Sequence, residues 1–305
     1  MKPRIERDAP DAPERLGSSA AALDHVLAMM RVQLEAIRAH GPGARLGTDP
    51  EELHKMRTAV RRLRAILRAV LARLDREWVE GLRSELEWLA SVLGAVRDLD
   101  VLRHYLRTEL GSLERADRPA ARRILGRLDA ERARTREGLV VALDDSRYFT
   151  LLDRLEEAIQ HPRVVAANLS LPDVASAEFK KLRKAVQALP KKPSARELHA
   201  VRIKVKRARY AAELAQAVVG RPAERFVSKA RKLQDILGEH QDAVVTEERL
   251  HTLFPDGGHG HRERSVAERL MKRQRIRRQA ARAAFLAQWP KLKRRGRKAW
   301  KRARQ

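Results

Sequence analysis

Apolar residues recur at spacings of three and four along most of the chain, which is the period of an amphipathic helix. Leu23, Val26, Leu27, Met30 and Leu34 mark a first helix over 20–39. HGPGARLGTDP, 40–50, reads as a loop that ends on Asp49 as N-cap and Pro50 at the first position of the next helix. Helical periods continue over 51–73, 76–94, 98–110, 117–144 and 147–160. Pro162 and Pro172 bound a linker at 162–173. The pattern resumes over 173–188, 195–219, 222–237, 240–252 and 262–288, with Ser194 as a cap and PDGGHGH, 255–261, as a flexible loop. No hairpin or βαβ alternation interrupts the series, so the predicted class is all-α. Residues 1–18 read as a disordered tail, and 290–305, which lack a core-forming pattern, as a solvated basic tail.

Two of these helices carry nearly the same text. LHKMRTAVRRLRAILRAV (53–70) and LHAVRIKVKRARYAAELA (198–215) match at an offset of 145, including Leu53/Leu198, His54/His199, Arg57/Arg202, Val60/Val205 and Arg64/Arg209. LGAVRDLDV (93–101) and LGEHQDAVV (237–245) match at an offset of 144, sharing Leu93/Leu237, Gly94/Gly238 and Asp98/Asp242. Two correlated matches point to a duplicated helical module, with one copy over about 19–161 and the other over about 173–289.

On a helical wheel, His54, Arg57, Arg61, Arg64 and Arg68 fall within a stripe about 80° wide, while Met56, Val60, Leu63, Leu67 and Val70 form the opposite, core face. His199, Arg202, Lys206 and Arg209 repeat the stripe, with Glu213 in the place of Arg68 and Tyr210 beside it. Like charges one turn apart repel by a few tenths of a kcal/mol per pair, roughly. The first stripe has no interleaved carboxylate to relieve that repulsion. A linear polyanion along it meets a cation at each turn, about every 5 Å. A solvated basic face is the plain alternative for one copy, and the repetition weighs against it.

Composition sharpens this picture. With 66 Lys+Arg against 40 Asp+Glu, the chain of 305 residues carries +26 and draws polyanions. The absence of cysteine excludes disulfides, thiolate metal sites and thiol nucleophiles. No apolar run is long enough to span a bilayer and no secretory signal pattern opens the chain, so a cytoplasmic location is expected. Only 12 aromatics are present, and Tyr210 alone lies near a stripe, which disfavours base stacking as the main mode of recognition.

The motifs LHKMRTAVRRLRAILR, LGAVRDLDVL, SRYFTLLDRL, LHAVRIKVKRARYAAEL and LQDILGEHQDAVV resemble those of the CHAD domains, the conserved histidine α-helical domains, over about residues 19–289. The resemblance implies two four-helix-type bundles related by pseudo-twofold symmetry, with basic stripes on a shared central groove. It also implies a ligand, inorganic polyphosphate, and a place on polyphosphate or storage granules. The residues carried over are His54, Arg57, Arg61, Arg64, His199, Arg202, Lys206, Arg209 and His240. Val96 stands where His240 stands in the second copy, so that histidine has no symmetric partner. Relatives are often fused to a triphosphate-processing domain, and this chain reads as a standalone copy.

Asp98 and Asp242 recur inside the basic constellation. They are candidates to orient stripe arginines by fork-shaped ion pairs, or else are helix-terminal carboxylates favoured by the helix dipole. Walker-type, HExxH and GxSxG motifs are missing. The expectation is therefore a binding protein without catalytic residues, metal or cofactor. The competing classes are a non-specific nucleic-acid binder and an accessory subunit of a polyphosphate or triphosphate enzyme. Residues 262–305 hold 18 Lys+Arg and 2 Asp+Glu, and their end, with Trp300, reads as a separate polyanion anchor.

Overall fold

The computed structural model describes residues 19–110, 114–165, 169–253 and 261–301, and the tail expected over 1–18 lies outside them. Among the described residues there are ten α-helices: α1 (Ser19–Leu46), α2 (Pro50–Val70), α3 (Arg76–Leu110), α4 (Arg118–Asp144), α5 (Ser146–Gln160), α6 (Leu171–Gln187), α7 (Ala195–Leu214), α8 (Gln216–Val219), α9 (Arg221–Leu253) and α10 (His261–Lys301). Among the described residues there is no strand, only an isolated antiparallel bridge between Leu74 and Val164 in the linker region.

The wheel of α2 is borne out. Met56, Val60, Leu63, Leu67 and Val70 are fully buried, as are Val201, Val205 and Ala208 at the matching face of α7. The interior does not divide where the repeat does. The larger core takes Leu63, Leu82 and Leu89 from the first copy together with Leu198, Leu214 and Phe226 from the second. A smaller core joins Leu102, Leu106 and Ile124 of α3 and α4 to Leu250, Val266 and Leu270 of α9 and α10. Helix contacts still run mainly within each copy, α2 with α1 and α3 in the first and α7 with α6 and α9 in the second. Both cores are built from both copies, and α3, α9 and α10 run from one to the other.

Three expected breaks are absent. α1 continues through Pro42 to Leu46, because tertiary packing overrides the local loop signal there. Ala44 is fully buried, and a Cβ at Gly43 would stand 2.6 Å from Glu52 Cγ, so only glycine lets α1 lie this close to α2. The stop comes at Gly47, with φ of 71°. Gly94 and Gly238 do not end a helix either. α3 and α9 pass through them, since one interior glycine costs only about 1 kcal/mol.

A further correction concerns the C-terminus. The basic tail expected over 290–305 is helical to Lys301 and packed, and the remainder lies outside the described residues. Leu292, Gly296, Ala299 and Trp300 are buried. Trp300 meets Phe226 edge-on at 5.7 Å, so it cannot serve as an exposed anchor. A Cβ at Gly296 would stand 2.4 Å from the Phe179 ring. At the offset of 144, Leu292, Gly296 and Ala299 fall on Tyr148, Leu152 and Leu155, the buried face of α5. The segment is the counterpart of α5, fused to its predecessor. A proline inside a helix costs ~3 kcal/mol, and the burial of these side chains offsets Pro290.

Candidate functional site

Strong N-terminal signals set the phase of both stripes. Asp49 Oδ1 accepts the backbone N–H of Glu51 at 2.8 Å, ahead of Pro50. Ser194 and Glu197 form a reciprocal capping box on α7. With the apolar faces committed to the core, the first turns of both stripes point into a cavity of about 680 Å³. His54 and Arg57 of α2 face it, with His199 and Arg202 of α7. α3 contributes Arg97 and Asp98, and α9 contributes Gln241, Asp242 and Arg249.

The groove holds more positive charge than its carboxylates engage. Arg57 donates to Asp98 at 3.4 Å, a long contact to a largely exposed carboxylate. Arg249 is ion-paired with Glu131 of α4. Burial lowers the pKa of Arg202, Asp242 raises it, and Arg61 and Arg57 lower it further. Burial in turn raises the pKa of Asp242, against the pull of Arg202. Arg202 Nε is buried with no hydrogen-bond partner. Lys206 is half-buried behind Arg202. Burial, then the charges of Arg202, Arg61, Arg57 and Arg209, push its amine down to about 7. Neither Arg202 nor Lys206 is ion-paired to a carboxylate among the described residues. A buried charge that lacks a partner is costly unless a ligand supplies one.

The two histidines sit in unlike company. His199 Nδ1 lies 2.7 Å from Gln241 Oε1, so the imidazole donates to that amide. In the first copy Arg97 takes the place of Gln241. Burial, and next the charge of Arg97, hold the pKa of His54 below the ordinary histidine value. His54 is thus mainly neutral at physiological pH.

Other residues of the predicted stripes do not line this cavity. Arg61 donates to Tyr210 Oη at 3.1 Å, and Arg64 reaches Glu87 at 2.8 Å. Arg68 is exposed to solvent. Arg209 is buried, donating to Gln234 at 2.9 Å and Glu213 at 2.5 Å, and its guanidinium lies 4.2 Å from the Tyr210 ring centre. Tyr210 is itself 6% exposed, so no base or other ring can stack on it. His240 is turned away from the groove, toward α10, because it stands about 160° around α9 from Asp242. Asp98 and Asp242 lie in the middle of α3 and α9, which removes the helix-end explanation for them. Arg97, Gln241 and Arg249 were missed because the wheel was drawn only for α2 and α7. The shared offset of 144 already pairs Arg97 with Gln241.

The CHAD domain family model matches residues 28–251, and the chain belongs to this family. The uncharacterized proteins MT2285 and Rv2226 of Mycobacterium tuberculosis are each 32% identical over 215 residues, 66% of this chain. The chain spans 40% of the length of these relatives. The fold is similar to that of PptA from Streptomyces chartreusis, with a TM-score of 0.73 and 23% identity, over 90% of this chain and 99% of that one. The CHAD domain from the plant Ricinus communis gives a TM-score of 0.65 at 23% identity, over 98% and 96% of the two chains. No helix among the described residues is long and apolar enough to cross a membrane.

Proposed function

We propose that the groove binds linear inorganic polyphosphate and does no chemistry on it. One observation carries this reading: beyond the effect of burial, the charges of Arg57 and Arg61 from one copy lower the pKa of Arg202 from the other and, with Arg202, that of Lys206, while neither Arg202 nor Lys206 is ion-paired to a carboxylate among the described residues. A chain of phosphates relieves that repulsion with repeated charge and acceptor oxygens, and guanidinium groups match those oxygens in pairs. His54 and His199 add donors at the entrances. Asp98 acts as an orienting carboxylate for Arg57, and Asp242 stabilises the charge of Arg202 without pairing with it. Phosphoryl transfer usually relies on carboxylates free to hold Mg²⁺, and these two face arginines. On this reading the two copies are related by an approximate twofold axis across the groove. The cellular setting is the cytoplasm, on polyphosphate or storage granules.

The test is competition between long-chain polyphosphate and single- and double-stranded DNA at physiological salt, for the native protein and for the double variant Arg57→Gln/Arg202→Gln. Each charge-assisted bond is worth about 1.5–3 kcal/mol, so the double variant should lose at least about a hundredfold in polyphosphate affinity, with an unchanged helical circular-dichroism spectrum. Preferential binding of DNA, or full affinity in a folded double variant, would remove polyphosphate from the groove.

A further inference from the structure

Behind the groove, on the other face of α9, lies a second and smaller cavity of about 230 Å³. Its walls are the start of α7 at Pro193, Ser194 and Ala195, the side chain of His240, and Arg278, Gln279 and Arg282 of α10. His240 is 3% exposed, and no hydrogen bond engages its imidazole among the described residues. Buried polar side chains are nearly always paired. The imidazole opens onto a cavity rather than onto packed apolar atoms, so the missing partner belongs in that cavity.

The walls specify what the partner is. The capping box engages the backbone N–H groups of Ser194 and Glu197. The positive end of this 20-residue helix is thus presented by the next N–H groups, of Ala195 and Arg196. Arg278 is held by Glu247 at 3.1 Å, while Arg282 is not ion-paired among the described residues. Burial, then Arg278 and Arg282, push His240 down to about 4. Both guanidiniums are thus near the ring, and the ring is a neutral N–H donor at physiological pH. Two guanidiniums, a neutral imidazole and a helix N-terminus are all donors. A small tetrahedral oxyanion satisfies all of them.

We infer that this cavity is a distinct phosphate-sized oxyanion site, built by His240, Arg278, Arg282 and the N-terminus of α7, and separate from the groove. Its ligand is a phosphoryl group, either free orthophosphate or the end of a phosphate chain.

Histidine NMR tests this on the intact protein, with the His240 resonance assigned by its loss in His240→Gln. Orthophosphate should shift that resonance saturably and raise the His240 pKa by about one unit or more, because a bound dianion favours imidazolium. The response should vanish in Arg282→Gln and persist in Arg57→Gln/Arg202→Gln, which leaves this cavity intact while disabling the groove. In that groove-disabled variant, long-chain polyphosphate that displaces orthophosphate from His240 identifies a chain end as the ligand. Failure to displace it identifies free orthophosphate. A His240 resonance that does not respond saturably, or an equal response in folded Arg282→Gln, overturns the site. Because the groove variant is a separate arm, this result is independent of whether the groove binds polyphosphate.

Discussion

The two copies of the stripe diverge at their last turn. In the first, Arg64 pairs at the surface with Glu87, whose side chain is 71% exposed, and Arg68 is free in solvent. In the second, Glu213 replaces Arg68 and draws Arg209, the counterpart of Arg64, into a buried pair with side chains 7% and 13% exposed. Gln234 and the Tyr210 ring complete its surroundings. One arginine-to-glutamate difference thus turns a surface cation into a structural one. Equivalence in a repeat fixes where a residue sits on its helix, and the neighbour one turn away decides what it does.

Stability measurements can break this comparison most directly. Removing one partner of a buried pair costs about 3–5 kcal/mol, whereas an exposed pair contributes roughly 0–1 kcal/mol. Arg209→Ala should therefore lower the urea unfolding midpoint strongly and Arg64→Ala barely at all. Equal losses from the two would show that burial does not separate the copies.

A second contrast lies one turn earlier, where Arg61 in the first copy faces Lys206 in the second. Only the lysine titrates in an accessible range. In the fold its amine is held at about 7, below the ordinary value of 10.5. Below pH 7 it is charged in both folded and unfolded states, and the fold carries the full repulsion. Between those two values the unfolded chain holds a proton that the fold has released, so the stability of the free protein rises with pH. Bound polyphosphate reverses the preference, so affinity should fall with pH above 7, by up to about tenfold per unit, as binding takes up a proton. Calorimetry in buffers of different ionisation heat reads that proton directly. Lys206→Arg should bind at all pH values without the uptake, and a persistent uptake in this variant would assign it to another group.

The smallest effect concerns the two glycines under the groove arginines. A Cβ at Gly94 would meet the Arg57 guanidinium at 3.7 Å, and one at Gly238 would meet that of Arg202 at 4.0 Å, both ordinary contacts. Gly94→Ala and Gly238→Ala should each raise stability by up to ~1 kcal/mol through helix propensity, and shift polyphosphate affinity less than threefold. Thermal melts and the same binding titration measure both. A loss of affinity confined to Gly94→Ala would show that Arg57 is the more tightly placed of the two.

Much of this was legible before the structure. The 3.6 period located the helices, and the repeat singled out His54, Arg57, His199, Arg202, Asp98 and Asp242, which do meet in one groove. The limits were physical. A wheel orders residues around one helix and is silent on which neighbour covers each turn, so it ranked Arg209 and Arg57 alike. It also offered Tyr210 as accessible, while the CHAD resemblance placed His240 in the groove although α9 turns it toward α10. The end of the last helix was hidden because Leu292, Ala299 and Trp300 are sparse among lysines and arginines, and Pro290 reads as a stop. Only alignment with α5 at the offset of 144 exposes its buried face.

Duplication has a consequence for the kind of polymer the groove can accept. With the copies related as proposed, a ligand entering from either end meets His, Arg and carboxylate in the same order. Nucleic-acid strands have a direction, with unlike ends, and reversing one changes every contact. A linear polyphosphate has none, since the chain is the same molecule when turned end for end. A groove of this construction wastes half its symmetry on a directional strand and none on phosphate chains. Where the copies differ, at Arg97 against Gln241 and Arg61 against Lys206, the groove acquires a polarity of its own that a symmetric guest cannot sense.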